Sequence, residues 1–393
     1  MINNYKVMFG LRTLKSIFIV FCDSFLVLYF FDLSDSNILP IALYKIISIF
    51  TIYIVMFLVR NFCKSKHRIN LIRFGIIVNF LYFLSILFLK ERVINYIYWV
   101  GFLYGLQVGL YQSIYNNLES TVISNEQRAK FVGNYSASKS IISIIFPLIF
   151  GGLIYEEGFA KSLIIVLVIV IFQIILSFLI KDKNTSENSR TNLVQYIKLV
   201  KENKIIKNVY KTSFFSGLTY EGTFKYIVTI YIIRIFSTSI SLGVFNSIFA
   251  LISCIIGILF ARFINPKYYA NIMKVTISIT VVSLCVMIYN CTMTTIILFN
   301  LFQTISLELM NLINESSHLN ISNIDSIKKD YKVEYWLGNE TALFLGRVIS
   351  SILFILLAFT SSNFMIYIFV ILLILFANSS IQLQKVIKEK YIM

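Results

Sequence analysis

Twelve long apolar runs constrain this chain more than any other feature. They fall at about 14–33, 38–60, 71–89, 93–116, 131–155 and 159–180, then at about 212–235, 239–262, 272–290, 293–313, 338–360 and 362–384. Each approaches the roughly 20 residues that a helix needs to cross the hydrocarbon of a bilayer. Strands of a membrane barrel alternate apolar and polar residues, whereas these runs are continuous, so helices are expected. Composition agrees: 58% of residues are hydrophobic and 14% charged, where a soluble chain carries roughly a quarter charged. The first run is too long for a signal-peptide core, carries Asp23 and lacks a small-residue cleavage site, so it is read as a retained membrane helix. The weakest runs are 93–116, rich in Tyr and Gly, and 212–235, which holds Glu221, Lys225 and Arg234.

Charge placement tests the count. With the N-terminus in the cytoplasm, about 27 of the 35 Lys and Arg fall on the cytoplasmic side, as the positive-inside rule expects of an even number of spans. Both termini are therefore expected inside, and the net charge of +16 reads as orientation rather than as a footprint for nucleic acid. The expected location is the inner membrane of a bacterial cell, the abundance of Ile, Lys, Asn and Phe fitting an AT-rich genome.

The polar stretch 181–211 divides the chain into an N-terminal six-helix half, 1–180, and a C-terminal half, 212–393. Within it Leu193, Ile197 and Val200 recur at helical spacing with Lys198, Lys201, Lys204 and Lys207 on other faces. That pattern predicts a helix lying on the membrane surface, its lysines toward anionic headgroups. The halves share landmarks in the same order. Gly133-Asn134 opens the fifth span and Gly338-Asn339 the eleventh; Arg60 and Arg262 follow the second and eighth; Asn116 and Asn311 lie late in the fourth and tenth. A parallel repeat is expected, because six spans return the chain to the same side.

This layout resembles the major facilitator superfamily over nearly the whole length. In the loop after the second span, Arg60-Asn61-Phe62-Cys63-Lys64-Ser65-Lys66-His67-Arg68 keeps the basic residues of that family's signature and lacks its Asp and glycines. Pro147-Leu148-Ile149-Phe150-Gly151-Gly152 is similar to the antiporter pattern of the fifth span, one residue longer and without its leading Gly, a faint pointer to export. The resemblance implies an all-α polytopic protein of twelve transmembrane helices in two pseudo-symmetric six-helix bundles. It also implies alternating access to a site near the midplane.

An ionisable group at membrane depth costs about 2.5–3.5 kcal/mol or more unless paired or hydrated, so each asks for a reason. Asp23 in the first span and Glu221 with Lys225 in the seventh lie on repeat-mate helices. In the resembled fold both helices line the cavity, so these residues, with Glu308 in the tenth, are the candidates for substrate contact or proton coupling. Glu221 and Lys225 could equally neutralise each other. Lys45 could snorkel or pair; Lys139 could pair across its bundle. Gln107 and Asn116 belong to a polar side of the fourth span, Gln303 and Asn311 to that of the tenth. Glu340 and Arg347, seven apart, are candidates for a gating contact with Glu308 or the basic loops. Tyr29, Tyr96, Tyr98, Tyr104, Tyr155 and Tyr231 near span ends read as interface anchors.

No phosphate-binding glycine loop, metal-ligand spacing or nucleophile constellation is present, so neither enzymatic activity nor a cofactor is expected. The five cysteines are scattered without a disulfide or metal pattern. The expected function is secondary active transport, with proton-coupled export of a small or amphipathic molecule ahead of uptake, by a monomer. The alternatives are a flippase for a lipid-linked sugar or polymer, and a non-transporting immunity factor or sensor on the same scaffold.

Overall fold

Every element in the described part of the chain is helical. The computed structural model describes residues 4–60, 62, 68–122, 125–180, 193–219, 232–233, 236, 238–263, 268–290, 292–322, 331–356 and 362–391. In chain order the helices are α1 (Asn4–Leu33), α2 (Leu39–Val59), α3 (Arg68–Leu89), α4 (Ile97–Val122), α5 (Asn125–Glu157), α6 (Phe159–Phe178) and the short α7 (Leu193–Glu202). There follow α8 (Lys204–Leu218), α9 (Ser239–Phe263), α10 (Tyr269–Tyr289), α11 (Met293–Ser322), α12 (Lys332–Leu356) and α13 (Ser362–Tyr391).

Ten segments among the described residues are long and apolar enough to cross a membrane, and one of them, Arg68–Tyr115, is 48 residues long. That segment holds α3 and α4, joined by a 3-10 turn at Lys90–Tyr96 and packed on each other. The predicted seventh span, 212–235, lies mostly outside the described residues; α8 forms its approach. The weak fourth run, 93–116, is the 26-residue helix α4.

These helices are inverted relative to those of a soluble protein, because their solvent is lipid. On α6, Ile164, Val168, Ile171, Phe172 and Ile175 are exposed while Ser162, Gln173 and Ser177 are buried. Gln173 donates to the Leu11 carbonyl at 3.2 Å, so the polar face ties α6 to α1. Glycine sets the closest approaches. On α4 Gly101, Gly105 and Gly109 recur one turn apart against α2, where a Cβ on Gly105 would stand 2.6 Å from the Ser48 carbonyl oxygen. Gly158, at φ +82°, makes the whole connection between α5 and α6.

The chain divides into two compact units: Met1–Arg190 with Phe236–Ala250, and Thr191–Ile235 with Leu251–Met393. The sequence division assigned 236–250 to the second half. In the first unit Gly243 of α9 meets the Pro147 carbonyl of α5 where any Cβ would clash, and Ser239 donates to the Gly151 carbonyl at 3.1 Å. The Pro147–Gly151 segment therefore works here as a helix contact.

Each unit repeats the same pairings. In the first, α1 packs on α5 and α6, and α3 on α4 and α6; in the second, α8 packs on α12 and α13, and α10 on α11 and α13. The matching asparagines take matching places: Asn134 donates to the Tyr5 hydroxyl of α1 at 3.5 Å, and Asn339 accepts from the Ser213 hydroxyl of α8 at 2.5 Å.

The linker helix α7 is shorter than the amphipathic stretch suggested. Asn203 caps α8 by accepting from the Ile205 and Ile206 amides, which ends α7 and puts Lys204 and Lys207 on the next helix. The buried side of α7 is Tyr196 with Leu199 and Val200, packed on Ile205, Ile206, Val209, Ile321, Tyr335 and Leu383. Ile197, expected on the apolar side, is exposed together with Val194.

Candidate functional site

A polar cluster within the first unit brings two of the sequence candidates together. Asp23 stands in a π-helical segment of α1, Phe21–Leu26, between α-helical stretches. Such wide turns occur as single insertions in α-helices, often at functional positions. Lys45 on α2 is buried and holds its Nζ 3.7 Å from Asp23 Oδ1; the Asp23 side chain is 40% exposed, that of Lys45 9%. The ammonium lies 5.3 Å from the Tyr44 ring centroid and 5.7 Å from that of Tyr104.

Behind the pair is an aromatic network. Tyr44 and Tyr82 are fully buried and share a hydrogen bond at 2.8 Å, and Tyr104 closes the triangle with centroids 5.6 and 5.5 Å from theirs. Cys22 lies 3.9 Å from the Tyr82 hydroxyl. Beside Asp23, Ser24 accepts from Asn246 of α9 at 3.1 Å. The glycine stripe of α4 makes this possible, because it lets α4 sit low enough on α2 for Tyr104 to reach Lys45. The arrangement sets a partly exposed carboxylate against a nearly buried lysine, with the Tyr44 and Tyr104 rings together on one side of the ammonium.

Gln107 is buried on α4, its carbonyl beside Gly75 of α3. Lys139 is exposed on α5. In the second unit Gln303 is buried on α11, near the α10–α11 seam where Thr280 and Ser306 share a hydrogen bond at 2.5 Å. Glu308 is half-buried and Asn311 exposed on the same helix. Arg347 and Glu340 pair with each other on α12 at 3.6 Å. Glu221 and Lys225 lie outside the described residues, as does the side chain of Asn116. Among the described residues no group of three or more His, Cys, Asp and Glu is gathered as a metal site would need.

Sequence reasoning missed the tyrosine triangle, the π turn and the Ser24–Asn246 bond. Ser24 and Asn246 were visible as polar residues in apolar runs; the π turn has no signature in the pattern. It also missed two cations seated on rings, Arg12 at 4.0 Å over Tyr135 and Lys15 at 3.8 Å over Tyr111.

Two solved structures are similar to the chain over nearly its full length. A bacterial homologue of the iron transporter ferroportin, in an inward-facing state, is 12% identical with a TM-score of 0.66, covering 97% of this chain and 98% of that one. The human organic anion transporter MFSD10 (TETRAN) is 10% identical with a TM-score of 0.62, covering 96% and 98%. Among curated proteins, the uncharacterized protein YqgE of Bacillus subtilis (strain 168) is 22% identical over 348 residues, 88% of this chain and 80% of that protein. No family model matches the chain. The two structural neighbours are major facilitator superfamily transporters, and this multi-pass membrane protein has their fold.

Proposed function

We propose that the chain is a secondary active transporter that alternates access between the two sides of the cell membrane, exporting a small or amphipathic molecule in exchange for protons. The observation that carries this reading is the Asp23–Lys45 pair at 3.7 Å on a π turn of α1. A carboxylate with water access and a single buried lysine beside it has two balanced states. Ionised, it compensates Lys45; protonated, it leaves Lys45 to engage another anion. Coupling follows when exposure to one side favours the first state and exposure to the other side the second.

The fold alone does not name a cargo. One neighbour is a homologue of an iron transporter and the other an organic anion transporter, so the cargo has to be argued from this chain's own residues. In the same reading Glu221, with Lys225 beside it, is the counterpart of Asp23 on the repeat-mate span, and Glu308 is a further coupling candidate. Both termini are cytoplasmic, and the exposed Val194 and Ile197 of α7, flanked by Lys198 and Lys201, rest on anionic headgroups.

The test is flux in proteoliposomes under an imposed pH gradient, driven in either direction. Acceleration by an inward proton gradient, lost in Asp23→Asn while uncoupled exchange persists, is the expected result. Flux indifferent to the gradient in the unsubstituted protein would sink the coupling.

A further inference from the structure

We propose that the second unit binds an anionic phospholipid carrying two phosphate groups, in the seam where α8 and α13 run side by side. The site needs a membrane around α13 and nothing from the transport reading.

α8 and α13 pack on each other in opposite directions. Ile205, Ile206 and Val209 at the start of α8 share an apolar cluster with Leu383, Val386 and Ile387 near the end of α13. Farther along α8, Phe215 packs on the cluster that holds Phe376, Ala377 and Ile381. Between the two, Lys211 donates to the Gln382 side-chain oxygen at 3.1 Å, which fixes the register. One turn toward the start of α8 and one toward the end of α13 bring Lys207 level with Lys385. Another turn brings Lys204 level with Lys388.

Lys204, Lys207 and Lys211 recur three and four apart, so they share one face of α8 along about 10 Å of its axis. All three are exposed, and so are Lys385 and Lys388. Among the described residues no carboxylate lies within 4.0 Å of any of the five. Gln382, which holds Lys211, is neutral, so it places the ammonium without cancelling its charge. Lysines one turn apart on one face repel each other, and a bound anion relieves that repulsion.

A phosphate could come dissolved or on a lipid, and the surface below the lysines selects the lipid. Lys385 and Gln382 continue as a single exposed stripe of α13 through Asn378, Leu375 and Ile371. Leu375 and Ile371 are 41% and 58% exposed and lie within the apolar span of α13. A ligand on this stripe meets apolar side chains, then amides, then ammoniums. Acyl chain, ester and phosphate follow each other in that order in a phospholipid. Basic pockets between membrane helices hold such headgroups, and two levels of lysines, Lys207 with Lys385 and Lys204 with Lys388, suit two phosphates.

Native mass spectrometry of the full-length protein in detergent tests this, with tetraoleoyl cardiolipin, dioleoyl phosphatidylglycerol and dioleoyl phosphatidylcholine as probes. The first cardiolipin should bind about tenfold or more tighter than phosphatidylglycerol, with phosphatidylcholine weaker still. Lys207→Gln with Lys385→Gln should weaken cardiolipin by about tenfold or more, while Lys207→Arg with Lys385→Arg keeps it. Lys6→Gln with Lys274→Gln removes the same charge from exposed positions elsewhere and should leave binding unchanged. Equal losses in the two glutamine doubles, unchanged binding in the Lys207→Gln, Lys385→Gln protein, or equal affinity for one-phosphate and two-phosphate lipids overturns the proposal. Displacement of cardiolipin by an equal concentration of inorganic pyrophosphate assigns the lysines to a soluble anion and overturns it as well.

Discussion

Lys45 of α2 reaches Asp23 across the helix seam, its Nζ 3.7 Å from Oδ1, and the Tyr44 and Tyr104 ring centroids lie 5.3 and 5.7 Å from the ammonium. Removing one partner leaves the other charge at membrane depth without it, at a cost of about 2.5–3.5 kcal/mol or more. Removing both takes away the attraction and the burden together. Lys45→Met and Asp23→Asn should therefore each lower the thermal midpoint of the purified protein, and the double variant should recover much of the loss. A coupling of about 1–3 kcal/mol in the double-mutant cycle is expected. Additive losses would show that the two groups do not act as a pair.

Gly105 is where α4 and α2 come closest. A side chain there would meet the Ser48 carbonyl at 2.6 Å and Thr51 Cβ at 2.5 Å, and neither belongs to a flexible tip. Gly105→Leu should cost about 1–3 kcal/mol by overpacking, and also push Tyr104 away from Lys45. Gly152, which has open space around its Cβ position, gives the control: Gly152→Ala should be near neutral. Thermal unfolding in detergent distinguishes them, and equal midpoints would refute the packing account.

Much of this fold could be read from apolar length alone. The runs at 38–60 and 159–180 became α2 at Leu39–Val59 and α6 at Phe159–Phe178, because a helix in lipid ends where polar groups can reach water. Of the landmarks of the expected repeat, Asn134 donates to Tyr5 of α1 and Asn339 accepts from Ser213 of α8. The site was legible only as residue types. Asp23 stood out as a charge in an apolar run, but its partner on another helix did not, since pairing across helices has no period in sequence. Tyrosines show the same limit. Tyr96, Tyr98 and Tyr155 are exposed, as anchors should be, whereas Tyr104 turns inward to Tyr44 and Tyr82.

Glu340 and Arg347 of α12 are gating candidates seven residues apart. They pair with each other at 3.6 Å, both side chains largely shielded at 16% and 20% exposure. Seven residues apart, they lie on one face and span two turns by leaning together. A pair this shielded falls between the surface and buried cases, so Glu340→Gln or Arg347→Gln should cost about 1–3 kcal/mol. Exchanging the two charges should restore most of it. If the swapped protein is no more stable than the single variants, the pair is not what holds these residues.

Tyr196 of α7 and Tyr210 of α8 share a hydrogen bond, and the Tyr210 hydroxyl also meets the Tyr335 carbonyl of α12 at 3.1 Å. This contact docks the linker helix. Burial pushes the Tyr196 phenol up to about 12 and raises that of Tyr210 further above its ordinary value. The folded state holds these protons more tightly than the unfolded chain, whose tyrosines titrate near about 10. Their stabilising contribution is therefore fully present below about pH 10 and is lost as pH rises through about 12. Gly338 keeps room for the ring, since a Cβ there would run into the Tyr210 hydroxyl and ring carbons. Gly338→Ala and Tyr196→Ala should thus undock α7 already at neutral pH. Trypsin reads this at pH 8, as faster cleavage after Lys198 and Lys201. In a Trp99→Phe background the emission of Trp336, whose ring lies 5.5 Å from that of Tyr335, should shift at alkaline pH in the parent and at neutral pH in the variants. Unchanged cleavage in both variants would mean that the apolar contacts of Leu199 and Val200 hold α7 without the tyrosines.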